Sequence, residues 1–300
     1  MTAPRHDPTI AFIVGVVGIA TFSGMDAVMK GLVLAIGAQA TMLWRSFIAA
    51  GLSGALYLPR RSGWPVPNVL RIHLARALLS AVMSLLFFWG LARVPLAQGV
   101  ALSFIAPLIA LYLAAVMLHE KVGGRTVGGS LLAFAGVIVI FAGQARADLG
   151  RDATLGSMAI LASALCYALN IILMRRQALV AGPLEITFFQ SVIVSLLFAA
   201  LLLFSPVALP AADLWPWLLL AASLGIASLL LLSWAYARAE ASYLATTEYT
   251  AFLWAALFGW LVFAEPVSAF TSAGAALIVA GCILAARRPA DAGPALEAAT

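Results

Sequence analysis

The sequence predicts an all-α integral membrane protein: ten transmembrane helices arranged as two inverted five-helix repeats. Three observations carry that prediction. The 300 residues are 64% hydrophobic and 10% charged, with a mean hydropathy of +1.07. Soluble domains carry roughly 25% charged residues, so this chain has too little polar surface to cover a water-soluble globule. The apolar residues fall into ten runs, each near the ~20 residues a bilayer demands. Finally, the stretch 95–144, two apolar runs hinged at a turn over 119–125, returns 145 residues later.

The runs are read in order as 9–29, 38–58, 69–91, 95–118, 124–143, 154–174, 183–204, 213–236, 240–263 and 268–286. The first is too long for a cleaved signal peptide and lacks a small-residue cleavage site behind it, so it counts as a span. Charge and proline punctuate the rest: Arg60 and Arg61 with Pro65 and Pro67, then Pro95, the 146–152 linker, Pro183, the 206–210 segment and Pro266. The Ala/Pro-rich tail from Arg287 lacks an apolar run and reads as disordered. The organisation is therefore a first repeat over 1–148, a second over 149–286, and a tail over 287–300.

Lys and Arg set the expected orientation. Loops on the side of the N-terminus hold Arg5, Arg60, Arg61, Arg71, Lys121, Arg125, Arg175, Arg176, Arg238, Arg287 and Arg288. The opposite loops hold only Lys30, Arg93, Arg146 and Arg151, while Arg45 and Arg76 fall within spans. That asymmetry places both termini in the cytoplasm of an inner-membrane protein. The net charge of +5 is scattered through short loops and forms no patch for nucleic acid. Cys166 and Cys282 lie inside apolar runs and read as small buried side chains.

The 145-residue offset needs no gap. It pairs Lys30 with Arg175, Gly37 with Gly182, Ser46 with Ser191, Trp89 with Trp234, Glu120 with Glu265, Gly129 with Gly274 and Gly136 with Gly281. Five spans per half is an odd number, so the second half enters the membrane from the opposite side. Inverted repeats are the build by which many secondary transporters place a substrate site at the midplane, although a channel can share it.

Each half holds a span ending in Glu (LAAVMLHE and GWLVFAE) followed by a Gly-containing span (GGSLLAFAGVIVI and SAGAALIVAGCILA). These features resemble the EamA domain of the drug/metabolite transporter superfamily over essentially the whole chain, and more narrowly its aromatic amino-acid exporter (YddG-type) branch. Pro107, thirteen residues before Glu120, fits the family's proline position and is a candidate hinge; the second half has Phe252 there. The resemblance implies that spans 1, 3, 4, 6, 8 and 9 surround a central cavity.

Intramembrane polar residues are costly, which makes each a functional hypothesis. They are Asp26, Arg45, Arg76, Gln98, Ser103, Asn170, Glu185, Gln190 and Glu248. Glu248, Ala251, Ala255 and Gly259 share one helical face, matched in the first half by Ser103, Ala106, Ala110 and Ala114. Glu248 thus breaks the symmetry of two small-residue stripes, as a carboxylate that pairs with a substrate amine, exchanges a proton, or snorkels from a span end. Asp26 and Lys30 stand four apart and predict an ion pair on the first helix. Arg45 and Arg76 read as structural, snorkelling or binding lipid or a carbonyl. Glu120 and Glu265 are expected to cap the helices that follow them. His119 and Lys121 flank only one copy of that turn, and His73 reads as interfacial.

Aromatic residues crowd the cavity spans, among them Phe87, Trp89, Phe104, Tyr167, Trp234, Tyr249, Trp254 and Trp260. Some belong to the interfacial belt; others can stack on a flat solute or hold its amine. The candidate substrate-binding residues are Tyr167, Asn170, Glu248 and Tyr249, with Gln98 and Ser103 opposite them. The functional reading is a secondary transporter exporting small amphipathic metabolites, amino acids including aromatic ones, as a monomer or weak homodimer among membrane lipids. Other cargoes such as nucleobases or quaternary ammonium compounds form the alternative within transport. The chain contains no G-x-x-x-x-G-K-[ST] motif for ATP drive and no cofactor motif. A lipid-modifying membrane enzyme is the reading from another class, and it asks for facing carboxylates, histidines or a metal set.

Overall fold

A computed structural model of the chain describes residues 8–61, 63–106, 108–109, 112–113, 124–146, 150–178, 180–236 and 247–286. Pro107, His119, Glu120, Lys121 and the tail beyond 286 lie outside these residues. The described helices are α1 (Pro8–Ile36), α2 (Ala38–Tyr57), α3 (Pro67–Leu91), α4 (Leu96–Ser103), α5 (Gly124–Arg146), α6 (Gly150–Ala178), α7 (Pro183–Leu201), α8 (Trp215–Tyr236), α9 (Ala251–Phe263) and α10 (Ala269–Ala286). They follow the ten predicted runs. Thr9–Ile36, Pro67–Leu91, Gly150–Met174, Pro183–Leu201 and Ala212–Leu232 are each long and apolar enough to cross a bilayer.

The first helix departs most from expectation, running to Ile36 where the sequence predicted an end at residue 29. Lys30 is the cause. It reads as a loop charge but is buried inside the protein, where its ammonium donates to Val94 O at 2.7 Å and to a Glu265 carboxylate oxygen. A charge satisfied in this way has no need of the membrane surface. The chain then turns into α2 through Gly37 alone, at φ +81°, a conformation that side chains with a Cβ rarely adopt.

Packing follows the repeat. α1 packs on α8 and α3 on α6, two pairs that exchange under the 145-residue offset. α2 packs on α7, α4 on α9 and α5 on α10, each pair mapping onto itself. The directions are opposed. Gly90, near the end of α3, lies against Gly156, near the start of α6, while His73 near the start of α3 bonds Gln177 in the last turns of α6. Lys30 reaches Val94 just beyond α3, so α1 and α3 end together, at the end where α6 begins. α1 and α6 are repeat equivalents and run antiparallel, which makes the halves inverted.

The α5–α10 pair shows why glycines recur at fixed places. A Cβ on Gly136 would lie 2.6 Å from the Gly274 carbonyl oxygen, and one on Gly274 would lie 2.6 Å from that of Gly136. Backbone-to-backbone approach of this kind is how membrane helices gain packing contact without a hydrophobic drive between them. Gly136→Val should therefore destabilise the protein by ~1–3 kcal/mol of overpacking. Gly51→Val, whose Cβ would meet nothing within 4 Å, should cost far less. Thermal unfolding of both variants in detergent checks the difference.

The fourth span of each half is broken at the same repeat position. After α4, the amides of Phe104, Ile105 and Leu108 bond to carbonyls three residues back, at 3.2, 3.4 and 3.1 Å. Ahead of α9, the amides of Thr250, Phe252 and Leu253 do the same, at 3.0, 3.4 and 3.0 Å. Phe104 and Tyr249 are equivalent under the offset, and their rings meet edge to face at 5.6 Å. The break in the second half occurs without a proline, at a sequence carrying Phe252, so Pro107 is not its general cause.

Candidate substrate site

α3 and α6 each carry a polar stripe. His73, Arg76 and Ser80 stand at i, i+3 and i+7 on α3, and Tyr167, Asn170 and Gln177 at i, i+3 and i+10 on α6, one face of each helix. Because the two helices pack together, the stripes meet. Arg76 Nε donates to Asn170 Oδ1 at 3.3 Å, and Ser80 Oγ donates to the same oxygen at 3.1 Å. Arg76 Nη1 donates to Gln177 Oε1. The guanidinium is thus oriented from two points on α6 and keeps part of its surface accessible.

Tyr167 shares its helical face with the buried Ser163 and Asn170, not with the outward Leu165 and Leu169, yet it is 37% exposed. Both Arg76 and Glu248 lie within electrostatic range of its hydroxyl. Glu248 and Tyr249 sit half-buried at the break preceding α9, and Tyr249 meets Phe104 from the break after α4. α3, α6 and the two broken spans therefore bring Tyr167, Asn170, Glu248 and Tyr249 towards one region.

Gln98 and Ser103 each make a hydrogen bond within the helix framework. Gln98 is buried on α4 and donates to Ser157 Oγ on α6 at 3.4 Å, near the end of the bundle where α6 begins. Ser103 Oγ donates to Gly99 O at 3.1 Å, one turn back on its own helix. Sequence reasoning read Arg76 as structural, did not single out Gln177 and took His73 for an interfacial side chain. His73 is instead fully buried, stacked on Phe189 at 4.9 Å, with Nε2 3.1 Å from Glu185 Oε1. The stripe spacing on α3 and α6 was the signal that marks all three.

Two expected charge contacts are replaced. Asp26 does not pair with Lys30; it faces Arg45 of α2, which is turned inward against Met25 Sδ at 3.2 Å. Lys30 is drawn to Glu265, with Phe263 under its ammonium at 5.1 Å. Glu265 caps a helix as expected, but in the other half: its Oε2 accepts from the Leu96 amide at the start of α4 at 2.8 Å. Pro95, the residue before α4, has no N–H, so the first free amide is that of Leu96, and the start of α10 is already served by Ser268, whose Oγ accepts from the Thr271 amide at 3.0 Å. Lys30, Val94, Leu96 and Glu265 thereby tie the two halves together at one end of the bundle.

Inverted halves, spans broken near mid-bundle and charged groups beside an interior tyrosine define a membrane transporter architecture. The chain belongs to the EamA-like transporter family, whose sequence profile matches residues 9–142 and again 154–287. It is 28% identical over 271 residues to the pseudopaline exporter CntI of Pseudomonas aeruginosa (strain UCBPP-PA14), covering 89% of this chain and 92% of that one. It is 28% identical over 216 residues to a riboflavin transporter of Rhizobium johnstonii, covering 72% and 70%. A solved crystal structure matches with a TM-score of 0.62 at 21% identity, over 93% of this chain and 98% of the other, a likeness of fold alone.

Proposed function

We propose that this transporter exports small amphipathic metabolites, amino acids including aromatic ones, across the inner membrane by alternating access. One observation carries the reading: Arg76 and Glu248 both lie within electrostatic range of the accessible Tyr167. A zwitterion complements that set, its carboxylate on Arg76, its amine on Glu248 and its side chain on Tyr167 and Tyr249. Asn170 and Gln177 hold Arg76 in place. With both termini cytoplasmic, the end tied by Lys30 and Glu265 is the outer one, and export requires that tie to open. The breaks after Ser103 and before Ala251 supply places where the two fourth spans flex, with Pro107 loosening the first further.

Counterflow in proteoliposomes tests the cargo. Vesicles preloaded with unlabelled L-phenylalanine or L-tryptophan should accumulate the labelled amino acid, and vesicles loaded with adenine, tetramethylammonium or riboflavin should not. Accumulation only with one of the latter three assigns a different cargo class. Orientation has its own check, with Cys166 and Cys282 first replaced by Ala. Ser205→Cys should react with an impermeant maleimide in intact cells, and Gly63→Cys only after the membrane is opened. The reverse pattern would place the termini outside.

A further inference from the structure

The hydrogen bonds from Arg76 outward run in one direction only. A guanidinium has no acceptor, so Gln177 must present Oε1 to Arg76 and therefore its NH2 to His73. The nitrogen that receives this NH2, His73 Nδ1, must then be bare. The ring proton is left on Nε2, where it points at Glu185 Oε1 at 3.1 Å. We propose that His73 and Gln177 are positioning residues for Arg76: His73 is held as the neutral Nε2–H tautomer, and a proton on Nδ1 turns the Gln177 amide and releases Arg76. This inference deepens the zwitterion reading above, because Arg76 is there the carboxylate ligand.

The geometry gives the switch two settings. Protonated at both nitrogens, His73 needs an acceptor at Nδ1, which only a reversed Gln177 amide offers. That reversal sets the Gln177 NH2 against the Arg76 guanidinium, donor facing donor. Arg76 then keeps only its 3.3 Å bond to Asn170. Glu185 of α7 faces His73 directly, Tyr57 of α2 faces Glu185 with Arg61 beyond it, and Arg76 stands one turn along α3. Glu185 keeps 22% of its side chain exposed, so the chain of bonds ends at an accessible carboxylate where α3 begins. A proton that reaches Nδ1 from that end therefore weakens carboxylate binding.

Nitrogen-15 NMR of the ring tests the relay without reference to any cargo. The chain has three histidines, so replacing His6 and His119 by Gln leaves His73 as the single signal. At neutral pH the spectrum should show a bare Nδ1 and a protonated Nε2. Gln177→Glu, which offers only acceptors, should shift the same ring to the doubly protonated form. An Nδ1–H tautomer in the wild-type sequence overturns the relay, as does an unchanged ring in Gln177→Glu; if that variant does not fold, the wild-type spectrum decides. The switch is read from L-phenylalanine affinity at neutral pH and at a pH where the spectrum shows Nδ1 protonated, where it should be about tenfold lower for one charge-assisted hydrogen bond lost. Gln177→Glu should bind weakly at both pH values. Affinity independent of pH in the wild type rejects the switch, whereas absence of any amino-acid binding at neutral pH rejects the cargo reading and leaves the NMR result standing.

Discussion

Arg76→Gln should weaken amino-acid binding by about 10- to 100-fold, the equivalent of ~1.5–3 kcal/mol for a hydrogen bond to a charged group. The loss should appear in equilibrium affinity and in exchange alike, because the contact serves binding in every state of the cycle. The fold should survive, since Gln keeps a donor for Asn170 and the α3–α6 interface is made elsewhere by Gly90, Gly156 and Ile160. Glu248→Gln should produce a loss of similar size through the substrate amine. Calorimetry on the purified variants gives both numbers. A wild-type affinity in either variant would remove that residue from the site; loss of uphill transport with exchange intact would instead make Glu248 a proton carrier.

The second large effect concerns the tie at the other end of the bundle. Lys30→Met leaves the Glu265 carboxylate with the Leu96 amide but no cation. Removing one partner of a fully buried ion pair costs ~3–5 kcal/mol, and the 22% exposure of the Glu265 side chain reduces the figure here. A lower melting temperature is expected, with part of it restored in Lys30→Met/Glu265→Gln, where the uncompensated charge is gone. If this end faces outward, as proposed above, the single variant should also raise the reactivity of a cysteine placed at Val94 towards an external impermeant reagent, because the tie is then lost. Full stability in Lys30→Met would show that the pair contributes nothing to closure.

The hydrophobic runs were enough to read ten helices, and the offset of 145 residues was enough to read their symmetry, because both are set by local composition and chain order. Partner choice was not legible in the same way. The pairing of Asp26 with Lys30 was a sound local inference, but the ammonium at Lys30 found a carboxylate 235 positions away that a one-dimensional pattern does not place beside it. The same limit hid His73 and Gln177: each looks unremarkable alone, and their meaning comes from the packing of α3 on α6. Asn170, Tyr167, Glu248 and Tyr249 stood out in the sequence because a polar or aromatic residue inside a span is conspicuous by its cost, and the substrate contacts proposed for them await the binding measurements. Gln98 was equally conspicuous, and in this conformation its amide serves a contact between α4 and α6. Cost identifies which residues must be accounted for; geometry separates helix pairing from substrate contact.

In the proposed site Arg76 takes the carboxylate and Glu248 the amine of the same small solute. Calorimetry with L-phenylalanine, phenethylamine and 3-phenylpropionate, on the wild type, Arg76→Gln and Glu248→Gln, tests it most directly. L-Phenylalanine should bind tightest to the wild type and lose affinity in both variants. Phenethylamine, which lacks the carboxylate, should weaken only in Glu248→Gln, and 3-phenylpropionate, which lacks the amine, only in Arg76→Gln. Equal loss of all three ligands in both variants, or no loss of L-phenylalanine in either, would contradict it.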